Sequence, residues 1–279
     1  MRMKTIQLGK KTIDFSRPLV MGILNVTPDS FYDGGKYISE TGIIARVHQM
    51  MEEGADIIDV GAASSRPGAI WIDAKEEIAR LSVAIEIIQR YYPQAVISID
   101  TYQAEVAKEI YNCLGPVIIN DISGGDLDEN MFEVVVELGA PYIMTHIQGN
   151  PLTMQERPYY ENITREVRGF FDVRIERLNA MKFDNILLDP GFGFGKTLEH
   201  NYQLMCNLEQ GMRSEYPWVV GISRKSMIYK LLEISPNEAL NGTTALNMVA
   251  LMKGARVLRV HDVKEAVEAV KIYCKLMSK

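Results

Sequence analysis

Asp189 ends the apolar run Ile186-Leu187-Leu188, and a glycine-broken loop carrying Phe192 and Phe194 follows at once. Pro190 cannot continue a ladder, so the strand stops there and leaves its carboxylate at the strand's carboxyl end. A carboxylate beside aromatic faces suits a planar ligand with a pair of N–H donors; alternatively, the acid caps the next helix. Arg259 and His261 stand two apart and point the same way, placing a guanidinium fork and an imidazole on one anion. Against that, Arg259 could pair with a barrel carboxylate and His261 could cap the final helix. In Ser223-Arg224-Lys225-Ser226 a strand gives way to a helix. Its backbone N–H groups and the Ser226 hydroxyl would hold a carboxylate, and Lys225 would donate to a carbonyl or ring nitrogen; an ordinary helix cap fits equally well. Arg66, in Ser64-Ser65-Arg66-Pro67-Gly68, adds a further cation.

These residues do not stand alone. Side chains alternate along a strand, so residues two apart share a face. Met21, Ile23 and Asn25 share one, as do Ser98 and Asp100, Ile118 and Asn120, and Leu187 and Asp189. Gly221, Ser223 and Lys225 continue the pattern, and Val257, Arg259 and His261 complete it. Each polar residue therefore sits above an apolar or small one, at the mouth of whatever the strands enclose. His146 reads as a satisfied core histidine, and His48 and His200 as surface residues on helices. No His/Asp/Glu spacing resembles a protein-built cage, so any metal is expected to arrive with an anionic substrate.

The elements that must position these groups follow a simple alternation. Apolar runs at 19–24, 55–60, 95–99, 116–119, 141–145, 185–188, 218–222 and 255–260 are separated by amphipathic stretches. Those stretches cover 43–53, 74–91, 104–114, 129–138, 162–181, 198–212 and 243–253, and 263–277 closes the chain. Runs of strand followed by helix, repeated eight times, predict a single α/β domain folded as a (β/α)8 TIM barrel. Residues 3–15, alternating around Gly9-Lys10-Lys11, predict a short N-terminal β-hairpin. A doubly wound sheet is the other architecture considered, but the composition shows no break to divide so many units.

The chain has 279 residues, 47% hydrophobic and 24% charged, with a formal net charge of −6. One barrel of about 250 residues fits that length. The acidic balance argues against a nucleic-acid partner. Cys113, Cys206 and Cys274 are scattered and read as reduced thiols. With no signal-peptide core and no membrane span, a cytoplasmic location is the expectation.

The segment Met21-Gly-Ile-Leu-Asn-Val-Thr-Pro-Asp-Ser-Phe-Tyr-Asp-Gly-Gly35 resembles the first signature of the dihydropteroate synthase family, the pterin-binding barrels of folate synthesis. Further matches are Ser98-Ile-Asp-Thr101, Ile119-Asn-Asp-Ile-Ser-Gly-Gly125, Leu188-Asp-Pro-Gly-Phe-Gly-Phe-Gly-Lys196, Gly221-Ile-Ser-Arg-Lys-Ser226 and Arg259-Val-His-Asp-Val263. They occur in the family's order and span nearly the whole chain.

The resemblance implies Mg2+-assisted condensation of 6-hydroxymethyl-7,8-dihydropterin diphosphate with 4-aminobenzoate, releasing diphosphate. Carried over by position, Asp100, Asn120, Asp189 and Lys225 would hold the pterin. Asn25, Arg66, Arg259 and His261 would hold the diphosphate, with Asn25 also on Mg2+. Phe31, Ser65, Arg66, Pro67, Phe194 and Ser226 would shape the aminobenzoate side, which sulfonamides would occupy. Catalysis would rest on Arg259, His261, Asn25 and Lys225, residues 27–36 would close as a lid, and a homodimer is implied.

One block departs from the family pattern. Gly61-Ala-Ala-Ser-Ser-Arg-Pro-Gly68 stands where G-G-E-S-T-R-P-G is usual, so Ala63 replaces an acid. The fifth strand end reads Thr145-His146-Ile147 where methionines are common. Two other readings are therefore weighed: a pterin-binding methyltransferase of the same barrel class, and a degenerate paralogue that binds pterins without turnover.

Overall fold

The computed structural model describes residues 5–27, 39–63, 72–150, 153–154 and 156–278. Phe31, Ser65, Arg66, Pro67 and most of the expected lid lie outside the described residues.

The hairpin is shorter than 3–15: β1 (Ile6–Leu8) pairs antiparallel with β2 (Lys11–Ile13). Its alternation turns Ile6 and Leu8 inward, where they join Phe15 and Leu19 in one cluster with Met21, Ile57, Ile118, Ile143, Leu187, Val219 and Val257. The hairpin thus plugs the amino-terminal end of the barrel.

The ring itself consists of β3 (Leu19–Asn25), β4 (Ile57–Gly61), β5 (Val96–Asp100), β6 (Ile118–Asp121), β7 (Tyr142–Thr145), β8 (Ile186–Asp189), β9 (Val219–Val220) and β10 (Val257–Val260). All neighbours are parallel, in the order β8-β7-β6-β5-β4-β3-β10-β9. A parallel bridge between Leu188 and Trp218 closes the circle, with Leu188 N donating to Pro217 O at 3.0 Å. The (β/α)8 barrel with its hairpin is therefore the observed fold. Outward-facing strand residues such as Leu24, Ile58, Ile99, Ile119 and Leu188 pack against the helices in a second, larger core.

The helices are α1 (Glu40–Glu53), α2 (Ala74–Tyr91), α3 (Ala104–Leu114), α4 (Met131–Leu138), α5 (Ile163–Ala180), α6 (Leu198–Cys206), α7 (Leu208–Gly211), α8 (Ser226–Leu232), α9 (Leu240–Met252) and α10 (Val263–Met277). Side-chain caps start several of them: Ser39 before α1, Asp73 before α2 and Asn162 before α5. Three expectations need correction. The helix at 198–212 is broken at Asn207, whose φ of −111° leaves the helical range and whose backbone N and Nδ2 both donate to the Gln203 carbonyl, at 3.2 and 2.9 Å. The strand at 218–222 is cut to Val219–Val220 with a single bridge at Trp218, and the chain then swings away through Arg224, whose φ is 56°. His200 is half-buried and completes a capping box with Thr197 at the start of α6, which a plain surface residue would not do.

Candidate functional site

The register carries one residue of each alternating pair to the inside. Asn25 aligns with Gly61, Gly61 with Asp100, and Asp100 with Asn120; on the far side Arg259 aligns with Met21. Above the apolar floor the interior is thus polar. Asp59 is fully buried at its centre. Its Oδ2 accepts from Arg259 Nε at 2.6 Å, and the same carboxylate accepts from Asn120 Nδ2 at 3.2 and 3.4 Å. The guanidinium bridges onward, Nη2 donating to Asp100 Oδ2 at 2.6 Å. Pairing with barrel carboxylates, the alternative weighed for Arg259, is thus what the geometry contains, and it fixes the guanidinium in the mouth.

Asp189 is 7% exposed, and its Oδ1 accepts from Gly191 N at 2.7 Å. No side chain stands at Gly221 on β9's end. A Cβ there would come within 3.8 Å of Asp189 Oδ2 and of Arg259 Cδ, so this glycine keeps open the space between acid and guanidinium. Lys225 reaches the mouth by the turn after β9, not by strand alternation. It is the residue before α8, with Nζ 2.5 Å from Phe192 O and 4.4 Å above the Phe194 ring. Ser226 opens α8 and is half-buried. Asn25 is half-buried, its Oδ1 facing Gly61 beside the Asp100 side chain. His261 lies beyond Arg259 with Nδ1 3.1 Å from Ser223 Oγ, and no side chain of its neighbour Asp262 caps α10.

The charges tune one another. Burial pushes Asp100 up to about 7, Arg259 opposing and Asp59 adding to the shift. Burial also raises Asp189 above the usual carboxylate range, countered by Lys225. Lys225 is pushed down to about 8 by burial, with Asp189 opposing. For Arg259, burial works against the charge, yet Asp59 and Asp100 outweigh it and hold its pKa above the ordinary value. Next to the acids an apolar wall forms from Tyr102, Ile122, Ile147, Met154 and Phe194, which descend from the ends of four strands. The arrangement can grip a flat, polar heterocycle with acceptors and one ammonium, with cationic and imidazole groups alongside for an anion.

Asp59 and most of the apolar wall were not anticipated. Asp59 was legible: it is an acid inside Ile57-Ile58-Asp59-Val60 and has the inward parity. Of the wall, Phe194 was expected beside the acid, whereas Tyr102, Ile122, Ile147 and Met154 sit in loops with no period to betray them. Among the described residues, no group of three His, Cys, Asp or Glu side chains is disposed to hold a metal ion.

A closed parallel barrel whose mouth joins buried acids to a bridging arginine defines a barrel enzyme for a polar heterocycle, and residues 21–261 match the family model of the pterin-binding enzymes. The chain is 44% identical to the dihydropteroate synthase of Escherichia coli K12 over 263 residues, covering 94% of this chain and 92% of that one. It is 41% identical to the Haemophilus influenzae dihydropteroate synthase, covering 95% and 96%. A solved Yersinia pestis dihydropteroate synthase in complex with a sulfonamide drug superposes with a TM-score of 0.90 at 40% identity, over 99% of this chain and all (100%) of that one. The Thermus thermophilus dihydropteroate synthase in complex with 4-aminobenzoate gives 0.86 at 34% identity, over 98% and 100%. The chain belongs to the dihydropteroate synthase family, and it is an enzyme, a transferase.

Proposed function

We propose that the protein condenses 6-hydroxymethyl-7,8-dihydropterin diphosphate with 4-aminobenzoate and releases diphosphate. The observation that carries this reading is the placement of Asp189 and Arg259 on either side of the open space at Gly221. The 2-amino and N3 hydrogens of a pterin form a donor pair that the Asp189 carboxylate accepts side by side. Asp100 and Asn120 meet the other polar edge, and Lys225 donates to the ring's acceptors. Each bond from a buried charged partner is worth roughly 1.5–3 kcal/mol, enough to fix the ring's orientation.

Arg259 uses Nε and Nη2 on the two acids, and its Nη1 makes no hydrogen bond among the described residues. That remaining edge and His261 face the departing diphosphate, whose negative charge they would stabilise as the C–O bond breaks. The aryl amine then attacks the pterin's methylene carbon, and its proton leaves with solvent; no side chain is needed as a strong base. Phe194 and Ser226 would line the amine's approach, joined by Phe31, Ser65, Arg66 and Pro67 from outside the described residues.

The site suits a Mg2+ ion delivered with the substrate. Arg259 is already engaged by Asp59 and Asp100, so a diphosphate entering here needs further positive charge. Asn25 offers a hard carboxamide oxygen at the mouth, and bound Mg2+ would supply charge neutralisation of the leaving group.

Two further readings belong to the same proposal. A homodimer is supported by α9, which buries Ala250 and Leu251 on one side yet exposes Val249 and Met252, beside exposed Leu231 and Leu232 on α8. Light scattering on the purified chain tests it. A reducing, cytoplasmic setting suits the free thiols of Cys113, Cys206 and Cys274, and no helix among the described residues is long and apolar enough to cross a membrane.

Purified protein should release diphosphate only with pterin diphosphate, 4-aminobenzoate and Mg2+ together, and a sulfonamide should compete with the aminobenzoate. Folded protein that binds the pterin but never releases diphosphate would instead indicate the degenerate paralogue.

A further inference from the structure

Lys196 is 3% exposed, and no step above uses it. Its Nζ lies 2.8 Å from His146 Nδ1, 2.8 Å from Gly191 O, 3.0 Å from Phe194 O and 3.4 Å from His146 O. These partners are an imidazole and carbonyls, not a carboxylate. Burying an ammonium on such terms is costly, and a methionine would fill the space without that cost. Burial drives its pKa well below the ordinary lysine value, Lys225 adding to the shift and Asp189 opposing.

What the ammonium holds is specific. His146 is 4% exposed and wedged edge-on against the Phe170 ring, centroids 4.8 Å apart. Its burial and the adjacent Lys196 hold its pKa well below the ordinary value, and an Nδ1 without a proton lets it accept from Nζ as the Gly191 and Phe194 carbonyls do. The loop from Gly191 to Gly195 lies flat on the segment after β7: a Cβ at Gly191 would collide with the His146 carbonyl, and one at Gly195 with that of Gln148. Lys196 ties both turns of this loop to β7's end. Between those turns sit Phe192, whose carbonyl takes Lys225 Nζ, and Phe194, whose ring lies under Lys225.

The geometry points to Lys196 and His146 as a buried clamp of positioning residues that sets the loop carrying Phe194 for the aryl-amine side of the mouth, a role that rests on the condensation proposed above. Asp100, Asn120 and Asp189 stand on strands, so the clamp bears on the second substrate more than on the pterin.

The test compares His146→Leu, which removes the acceptor, with His146→Asn, whose Oδ1 can occupy the place of Nδ1, and adds Lys196→Met. In H146L and K196M the KM for 4-aminobenzoate should rise about tenfold or more, as expected for a misplaced contact. The KM for pterin diphosphate should move less than about threefold, its main partners being on strands. H146N should recover most of the loss. A purely structural role would lower both affinities, kcat and melting temperature together, with H146N no better than H146L; that pattern, or unchanged KM values, overturns the clamp. Amide exchange over residues 191–196 reads the clamp without turnover: it should quicken in H146L and K196M but not in H146N, and equal protection in all would reject it. If K196M does not fold, the two His146 variants decide. A wild-type protein without turnover counts against the condensation alone, and exchange then settles the clamp.

Discussion

Arg259 Nε lies 2.6 Å from Asp59 Oδ2, joining a strand near the end of the chain to a fully buried acid 200 residues earlier. The pair spans the barrel, and through Nη2 the arginine also reaches Asp100. Removing one partner of such a buried pair strands the other's charge. Asp59→Ala should therefore destabilise the fold by about 3–5 kcal/mol, read from urea unfolding. Because Asn120 and Arg259 both lose their anchor, kcat/KM should fall as well, even at temperatures where the variant is fully folded. A variant as stable and active as the parent would show that the acid merely fills space.

Asp189 tests the heterocycle. Asp189→Asn keeps the side chain's size but replaces one acceptor oxygen by a donor, which then confronts a ligand N–H. Two charge-assisted bonds at roughly 1.5–3 kcal/mol each are at stake, so pterin affinity should drop by about a hundredfold or more. Calorimetry with a non-reacting pterin measures this directly. The Gly191 amide still finds an acceptor in the variant's Oδ1, so melting temperature should move little.

The pH dependence follows from two opposed shifts. Asp100 is raised to about 7 by burial, so below that pH it takes a proton and loses the charge that strengthens its bonds. Lys225 is lowered to about 8 by burial, so above that pH it loses the proton it donates. The kcat/KM for the pterin substrate, which reports the free enzyme, should therefore form a narrow bell with limbs near these values. Asp100→Asn should flatten the acid limb and leave the alkaline one; Lys225→Met should do the reverse. A profile flat from about 5 to 10 in the parent protein would separate both residues from pterin capture.

The barrel and most of its mouth were legible because their signals are local. Apolar runs of strand length recur with amphipathic stretches between them, and a period of two carries Asn25, Asp100, Asn120, Asp189 and Arg259 inward without knowledge of any partner. What escaped was decided by contact at a distance. Lys196 looks like a loop lysine until His146, 50 residues earlier, is seen to receive its proton donor. Lys225 shares the expected face for another reason: a turn at Arg224 delivers it after the strand has ended. The division between α6 and α7 falls at Asn207, whose non-helical backbone the periodic pattern does not foretell. Asp59 needed no contact at all, only parity applied to the middle of a strand as well as its end.

The departures at Ala62 and Ala63 make a separate prediction. Ala62 is fully buried and its carbonyl accepts from Arg80 Nη1 at 3.2 Å, while Arg80 Nε also holds Glu76 at 2.8 Å. The backbone here is thus anchored from α2 by Arg80. Converting Ala62→Gly with Ala63→Glu should then change kcat little, since the Arg80 anchor on the Ala62 carbonyl is untouched by either side chain. A large gain in turnover would mean that the parent chain is the degenerate paralogue. Arg80→Met, by contrast, should raise the KM for 4-aminobenzoate, because it frees the start of the segment that carries Ser65, Arg66 and Pro67.

Gly221 offers the sharpest separation of site from fold. An added methyl would meet Arg259 Cβ at 3.7 Å, Arg259 Cδ at 3.8 Å and Asp189 Oδ2 at 3.8 Å, all ordinary contact distances, and the residue's φ is not positive. Gly221→Ala therefore costs the fold nothing and, by restricting the unfolded chain, should stabilise it by about 0.4–1 kcal/mol. The same methyl occupies the gap between acid and guanidinium where the flat ring must lie. Pterin affinity should fall by about tenfold or more, the consequence of crowding a close-packed site. Melting temperature and calorimetry on one variant thus move in opposite directions. If pterin binds G221A as tightly as the parent, the ring does not lie between Asp189 and Arg259, and the condensation loses the contact on which it was argued.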